Sequence, residues 1–156
     1  MNGKYLWLIL PIIVGLLAIV PVIKAENVQV TAEVPPFASV VFNYNTVNFG
    51  GVTPGSTDVP APNQDSGIYN VSVTANVPLT VSAYRTSWSP GDVLTLKFGV
   101  GATVPAQPQI ELITTSQTIA IIGSGQYTHY HGYWLTVPPY ASPGTYSTTV
   151  TITYFP

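Results

Sequence analysis

The chain begins with a continuous apolar run rather than an alternating pattern. Residues 5–23 carry no charge, and the run is preceded by Lys4 and followed closely by Ala25. A basic start, an apolar run and a small residue at its end are typical of a secretory signal peptide. We therefore predict an apolar signal helix in residues 1–25, cleaved after Ala25. The run is also long enough to span a membrane, so an uncleaved anchor is the alternative.

A regular alternation of apolar and polar residues follows in residues 26–34 and predicts a β-strand. Its apolar members, which would share one face, are Val28, Val30, Ala32 and Val34. Pro35 and Pro36 end the strand, because neither can donate a ladder hydrogen bond. Residues 26–36 are thus either the first strand of the following domain or a strand and linker that pair with an exposed edge of a neighbouring copy. A head-to-tail contact of that kind builds a filament.

The remainder of the chain, residues 37–156, predicts an all-β domain. Helical periodicity is absent from its sequence, and β-branched and alternating segments are separated by turn residues. Many strands with frequent turn signals are typical of a β-sandwich. The predicted strands span 38–43, 46–50, 68–75, 77–84, 93–100, 109–113, 117–122, 127–137 and 144–155.

Composition excludes several classes of function. Only 6% of the 156 residues are charged, and there are 4 Lys and Arg residues and no cysteine. So few basic residues cannot form a nucleic-acid-binding surface, and a chain without cysteine has no disulfide, no thiolate metal site and no cysteine nucleophile. Acidic residues are scattered without the pairing of a catalytic site. We predict no enzymatic activity and no cofactor.

One modification site is indicated by a short motif. Asn70-Val71-Ser72 is an N-glycosylation sequon, so a secreted chain could carry an N-glycan on Asn70. The alternative is a chance match within a predicted strand.

Two histidines are the only metal candidates. His129 and His131 share one side of a predicted strand, and paired imidazoles contribute to copper and zinc sites. A complete site needs further ligands, and no Asp or Glu follows Glu111. Exposed histidines in an aromatic-rich strand are the favoured interpretation, and no metal is predicted.

Two segments carry a resemblance to known surface proteins. "VNFGGVTPGST" at 47–57 and "SPGTYSTTVTIT" at 142–153 resemble pieces of spore-coat-U-type fimbrial domains. The layout of signal, alternating strand, Pro-Pro and β-domain is similar to subunits of archaeal thread-like filaments. This resemblance implies an Ig-like, pilin-type β-sandwich with an N-terminal extension strand, which completes the sandwich of the next subunit.

The same resemblance implies roles for individual residues. The alternating apolar residues of the N-terminal tail, residues 26–34, would be the donor residues. The acceptor groove would be lined by apolar side chains of the first and last core strands. The candidates are Val41, Val47, Phe49, Val150 and Ile152.

The predicted function is that of a structural subunit of an extracellular filament on the cell surface, serving adhesion or biofilm formation. Its partner is further copies of itself, and it meets the membrane only through the signal segment before cleavage. Two alternatives remain. One is a membrane-anchored cell-surface β-sandwich, and the other is a secreted carbohydrate- or metal-binding module.

Overall fold

The computed structural model describes residues 29–156. The chain divides at residue 33, and residues 34–156 form a compact unit. The predicted signal peptide, its cleavage site and the donor residue Val28 lie outside the described residues. Residues 29–37 are exposed and belong to no strand.

The unit 34–156 is all-β, as predicted, and consists of two antiparallel sheets. The strands are β1 (Ala38–Phe42), β2 (Val59–Pro60), β3 (Asn70–Ala75), β4 (Leu79–Arg85), β5 (Thr95–Gly101), β6 (Ile110–Glu111), β7 (Gln117–Ile122), β8 (Gly125–Thr136) and β9 (Val150–Phe155). One sheet has the order β1-β3-β8-β5-β6, with β2 also paired to β8, and the other has the order β7-β4-β9. The helical content of residues 29–156 is one 3-10 turn, Gln64–Ser66, and no helix there is long and apolar enough to cross a membrane.

The core lies between the two sheets, and β3 shows the regular alternation that directs every second side chain into it. Val71 and Val73 of β3 pack with Leu79 and Val81 of β4, and all four are fully buried or nearly so. A second cluster joins side chains of β5 and β8 to β4, around Phe98. Burial of each such side chain stabilises the fold by about 1.5–3 kcal/mol.

The long central strand β8 defines two opposite ends of this unit. At one end, Ala38, Ala75 and Gly125 are in register across three strands, and we call this end the tail pole. At the other end, the Val137 carbonyl just beyond β8 accepts a hydrogen bond from the Gly55 N–H at 2.8 Å, and we call this end the open pole. The strand advances about 3.3 Å per residue, so the stretch from Gly125 to Val137 separates the two poles by about 40 Å.

Two of the predicted strands are wrong in part or in full. Residues 46–50 form no strand, and the predicted strand 144–155 is paired as a ladder only from Val150 onward. Within the described residues, the segment 46–50 makes no hydrogen bond to another backbone group. Ser147 is bridged to Ser89 in a register shifted by one residue from that of β9, in which Val150 lies opposite Arg85. A ladder needs a backbone partner in continuous register.

Candidate functional site

A groove lies between the two segments whose strand predictions were wrong. Its volume is about 880 Å³, and its walls are residues 44–52 on one side and 141–150 on the other. Apolar core side chains form its floor. They are Trp88, Leu94, Leu96, Tyr133, Leu135 and Val137.

The first wall, residues 44–52, has an unpaired backbone. Within the described residues, no backbone group of this wall is hydrogen-bonded to another backbone group. The wall is held by its ends instead. Asn43 N–H donates to the Asn70 carbonyl at 3.0 Å, and the turn at Gly55 is bonded to Val137. This wall is therefore a strand-type segment fixed in place without a ladder.

The second wall, residues 141–150, is paired on one side only. The carbonyls of Ser147 and Thr149 accept hydrogen bonds at 2.9 Å from the backbone that extends β4. In an antiparallel strand, alternate residues direct their backbone groups to opposite sides. The backbone groups of Tyr146, Thr148 and Val150 consequently point away from β4, toward the groove side of this edge strand.

The inner end of the groove is closed by an aromatic cluster. The Phe42 ring lies 6.1 Å from that of Tyr154 and 5.8 Å from that of His131, measured between centroids. Tyr44 of the first wall is hydrogen-bonded through its hydroxyl to His131 Nδ1 and, at 2.7 Å, to the hydroxyl of Tyr133. His131 Nε2 lies 2.8 Å from the Tyr154 hydroxyl. The cluster thus ties the first wall and β9 to the central strand.

Burial sets the charge state of this cluster. Desolvation lowers the pKa of His131 to about 3, with a smaller contribution from the nearby His129. Desolvation also raises the pKa of Tyr44, Tyr133 and Tyr154 well above that of free tyrosine. The imidazole and the phenols are therefore all neutral at pH 7, as a buried hydrogen-bonded network requires.

The structure brings most of the predicted acceptor residues together. Val47, Phe49 and Val150 line the groove, and Val150 and Ile152 line an adjoining cavity of about 320 Å³ that reaches Phe42. Val41 lies elsewhere. It pairs with the exposed Ser72 on the outer face of the sheet and is itself 54% exposed.

The floor residues and Tyr44 were missed by sequence reasoning. The sequence does indicate part of the floor. Tyr133, Leu135 and Val137 lie at alternate positions of β8 and just beyond it, so they share one face of the strand. Trp88 and Tyr44 carry no comparable signal, because they come from irregular segments after β4 and after β1.

The described donor residues have apolar side chains that lie in solvent. Val30 is 85% exposed and Val34 is 77% exposed. Ala32 is also exposed. An alternating apolar face without a partner is therefore available on the tail.

The interpretation of the histidines as exposed is wrong. His131 is 1% exposed and His129 is 8% exposed, because the face that they share points into the core. Both nitrogens of His131 are occupied by tyrosine hydroxyls. Within residues 29–156, no group of three or more potential metal ligands occurs.

The sequon residue Asn70 lies at the first position of β3 and is half-buried. Its Nδ2 donates to the Gly67 carbonyl at 2.8 Å, and its Oδ1 accepts a hydrogen bond from the Asn43 amide. The nitrogen that would carry a glycan is thus already in contact with a neighbouring turn.

Comparison of the chain with known families and with curated proteins gives no match to a family model and no matching protein.

Proposed function

We propose that the chain is a secreted subunit of an extracellular filament, and that residues 26–34 of one copy fill the groove of the next. The groove carries this proposal. It lies between residues 44–52, which have no backbone partner within the described residues, and residues 141–150, which are paired on one side only, and core side chains form its floor. A groove of this construction fits an added strand, since backbone pairing gives affinity and alternate side chains enter the floor. The unit would then be an Ig-like, pilin-type sandwich completed in trans.

The length of the tail matches the length of the groove. The first wall, residues 44–52, is nine residues long, as are residues 26–34. Nine extended residues span about 30 Å. In the docked strand, the alternating valines would face the floor, and Gln29, Thr31 and Glu33 would face solvent.

The closed inner end sets the direction of the docked strand. Phe42 and Tyr154 meet at that end, so the linker at Pro35 would leave through the open pole. The docked strand would consequently run from the aromatic cluster toward the open pole. It would lie parallel to residues 44–52 and antiparallel to residues 144–150.

The occupant in this direction is a second copy rather than the chain's own tail. Pro35 is held at the tail pole through Asn76, which follows β3 directly. To dock in the same direction within one chain, Val34 would have to reach the open pole about 40 Å away. One peptide unit joins Val34 to Pro35, and consecutive Cα atoms are about 3.8 Å apart. Insertion is therefore intermolecular, and repeated insertion builds an open-ended filament.

Docking also removes exposed apolar surface from water. Complete burial of a valine side chain contributes about 1.5–3 kcal/mol. Val30 and Val34 both begin largely exposed. A carboxylate at either position would have to be buried against the apolar floor, which is strongly unfavourable.

A matched pair of substitutions tests the proposed function. Val30→Asp places a charge on the face that enters the groove, and Thr31→Asp places the same charge on the adjacent, outward position. We expect the mature Thr31→Asp chain to form sedimenting filaments visible by electron microscopy, and the Val30→Asp chain to remain monomeric. Filaments from Val30→Asp in wild-type yield, or equal loss in both variants, would contradict strand insertion.

We also propose that the secreted subunit carries an N-glycan on Asn70. A surface with so few charges relies on uncharged polar groups, and a glycan would add to them. The intact mass of cell-surface protein should exceed the mass of the polypeptide, and Asn70→Gln should abolish the excess. Equal excess mass in Asn70→Gln would place the modification elsewhere.

A further inference from the structure

The open pole is a surface made of two turns, residues 53–56 and 138–141. The Gly55 N–H donates to the Val137 carbonyl at 2.8 Å, just before the second turn begins. A Cβ at Gly55 would lie 4.0 Å from Pro139 Cβ, so the two turns are also in van der Waals contact. The surface around the outer end of the groove is therefore held by backbone hydrogen bonds and by packing.

One aromatic side chain projects from this surface. Tyr140 occupies the tip of the second turn, which the Ala141 N–H closes by donating to the Pro138 carbonyl at 3.0 Å. The residue is 77% exposed, although burial of an aromatic side chain is strongly favourable. Tyr140 belongs neither to the walls nor to the floor of the groove. Its ring is therefore available to a neighbouring molecule even when a strand fills the groove.

The length of the linker decides what reaches the open pole after insertion. In the docked strand, which would run parallel to residues 44–52, Val34 would lie level with Val52. Phe37 follows three residues later, at most about 10 Å further along the chain. It would therefore lie level with Gly55, at the open pole of the copy that receives the tail.

Phe37 is fixed to the domain of the inserting copy. Its N–H donates to Asn76 Oδ1 at 2.6 Å, and its carbonyl accepts a hydrogen bond from the Asn76 N–H at 3.0 Å. The next residue, Ala38, begins β1. The backbone of Phe37 is thus held at the tail pole, and yet the residue is 54% exposed. Insertion of the tail would consequently bring an exposed aromatic ring of one domain to the open pole of the next.

The two surfaces have matching chemistry. The linker reads Pro-Pro-Phe at 35–37, and the turn reads Pro-Pro-Tyr at 138–140. Neither segment carries a charge, and proline-rich segments bind to aromatic side chains. A pair of aromatic rings adds a directional contact. Because the docked tail already joins the two copies at an effective concentration on the order of millimolar, a contact of this small size is sufficient.

We propose that Tyr140 at the open pole packs against Phe37 and the linker prolines of the inserted copy, and that this contact fixes the orientation of successive subunits. Without the contact, the docked strand and the short linker alone would join two copies, and each junction could pivot about that linker. With it, each junction is held at a second point and the filament is stiff. This inference rests on the proposed function, since only tail insertion brings the two poles together.

Filament stiffness tests this contact on the full mature chain. Tyr140→Ala removes a ring from an exposed turn outside the groove, so we expect its filaments to assemble in wild-type yield. The ratio of held to pivoting junctions should fall roughly tenfold, as for the loss of an aromatic contact. The persistence length measured by electron microscopy should therefore fall several-fold.

A matched control uses an exposed apolar residue away from both poles. Val41 is as exposed as Phe37 but lies about 13 Å from it along β1. Filaments of Val41→Ala should keep the wild-type persistence length. The melting temperature of Tyr140→Ala, measured in the monomeric Val30→Asp background, should equal that of Val30→Asp alone, which shows that the domain is intact.

Crosslinking tests the placement of the two poles independently of stiffness. A chain that carries Phe37→Cys and Tyr140→Cys is polymerised and treated with a short bifunctional maleimide. We expect a ladder of linked subunits, because the two positions of successive copies would lie side by side. A chain that carries Val41→Cys and Tyr140→Cys should give little of this ladder.

The outcomes separate this contact from the proposed function. Tyr140→Ala filaments as stiff as wild type, or an equal loss of stiffness in Val41→Ala, would overturn the contact and leave strand insertion standing. Filaments of the Phe37→Cys and Tyr140→Cys chain that do not crosslink would overturn it as well. If the wild-type chain forms no filaments, the proposed function fails and the contact fails with it.

Discussion

The buried histidine should make the stability of the domain depend on pH in a defined window. The native pKa of His131 is lowered to about 3 by burial, whereas a free imidazole has a pKa of about 6.5. Between these values, the unfolded chain binds a proton that the native chain does not. Stability is therefore complete above pH 6.5 and is lost as the pH falls toward 3.

The magnitude follows from the size of the shift. Each pH unit well inside the window costs about 1.4 kcal/mol, and the slope is half of that at pH 6.5, so lowering the pH from 6.5 to 4.5 should reduce the free energy of unfolding by about 2 kcal/mol. Most carboxylates stay ionised down to pH 4.5, and the pKa values of Asp58 and Asp92 are lowered by their hydrogen bonds to Lys97 and to the Trp88 backbone N–H, respectively. The loss in this range thus reports on the histidines.

Denaturant unfolding at several pH values measures the effect, with the Val30→Asp chain as a monomeric background. His131→Gln should lower stability at pH 7, because the hydroxyls of Tyr44 and Tyr154 lose good partners, but it should remove most of the pH dependence. His129→Gln, two residues away on the same face, should remove less. Two results would refute a buried neutral imidazole. One is a free energy of unfolding of the Val30→Asp chain that stays constant from pH 6.5 to 4.5. The other is a pH dependence of that free energy that His131→Gln leaves unchanged.

Two further predictions concern packing and charge. Arg85 is 6% exposed, and its Nη1 lies 2.6 Å from Asp92 Oδ1. Asp92→Ala should lower the free energy of unfolding, measured by denaturant titration, by about 1–3 kcal/mol, because the buried guanidinium loses its counterion. A Cβ at Gly132 would lie 2.4 Å from the Trp134 ring, whereas one at Gly123 would meet nothing within 4 Å. Gly132→Ala should consequently cost about 1–3 kcal/mol and lower the melting temperature, and Gly123→Ala should leave it nearly unchanged. Equal melting temperatures for the two alanine variants would contradict the close packing at Gly132.

Local pattern predicted the sheets well because period-2 alternation is a property of each strand by itself. Residues 70–75 and 79–85 alternate clearly, and both form strands close to the predicted bounds. The same pattern at 46–50 and 144–149 predicted strands that do not form ladders. Whether a strand-type segment is paired depends on a partner distant in sequence, which local pattern does not contain.

The candidate site was predictable only in part for the same reason. Alternation placed His129 and His131 on one face but did not decide whether that face points inward. The continuation of that face into Leu135 and Val137 was the available sign of burial. The hydrogen bonds from His131 to Tyr44 and Tyr154 join residues from three separate segments, so only the fold reveals them.

Disulfide trapping between a tail and a groove tests strand insertion most directly. The chain has no cysteine, so engineered pairs form without background. Oxidation requires the two Cα atoms to be within about 7 Å. Chains carrying Val30→Cys are mixed with chains carrying Val47→Cys, polymerised and oxidised, and the products are separated by electrophoresis without reductant. In the control mixture, Thr31→Cys replaces Val30→Cys.

Insertion into a neighbour predicts a disulfide-linked product of two chains from the Val30→Cys and Val47→Cys mixture and little of this product from the control mixture. A chain carrying both substitutions should give a ladder of linked subunits. Repeating the mixture with Phe49→Cys or Val150→Cys in place of Val47→Cys samples the alternative registers of the strand. Absence of two-chain products with all three groove positions, or a double variant that closes on itself as a monomer, would contradict a filament built by exchange of strands between copies.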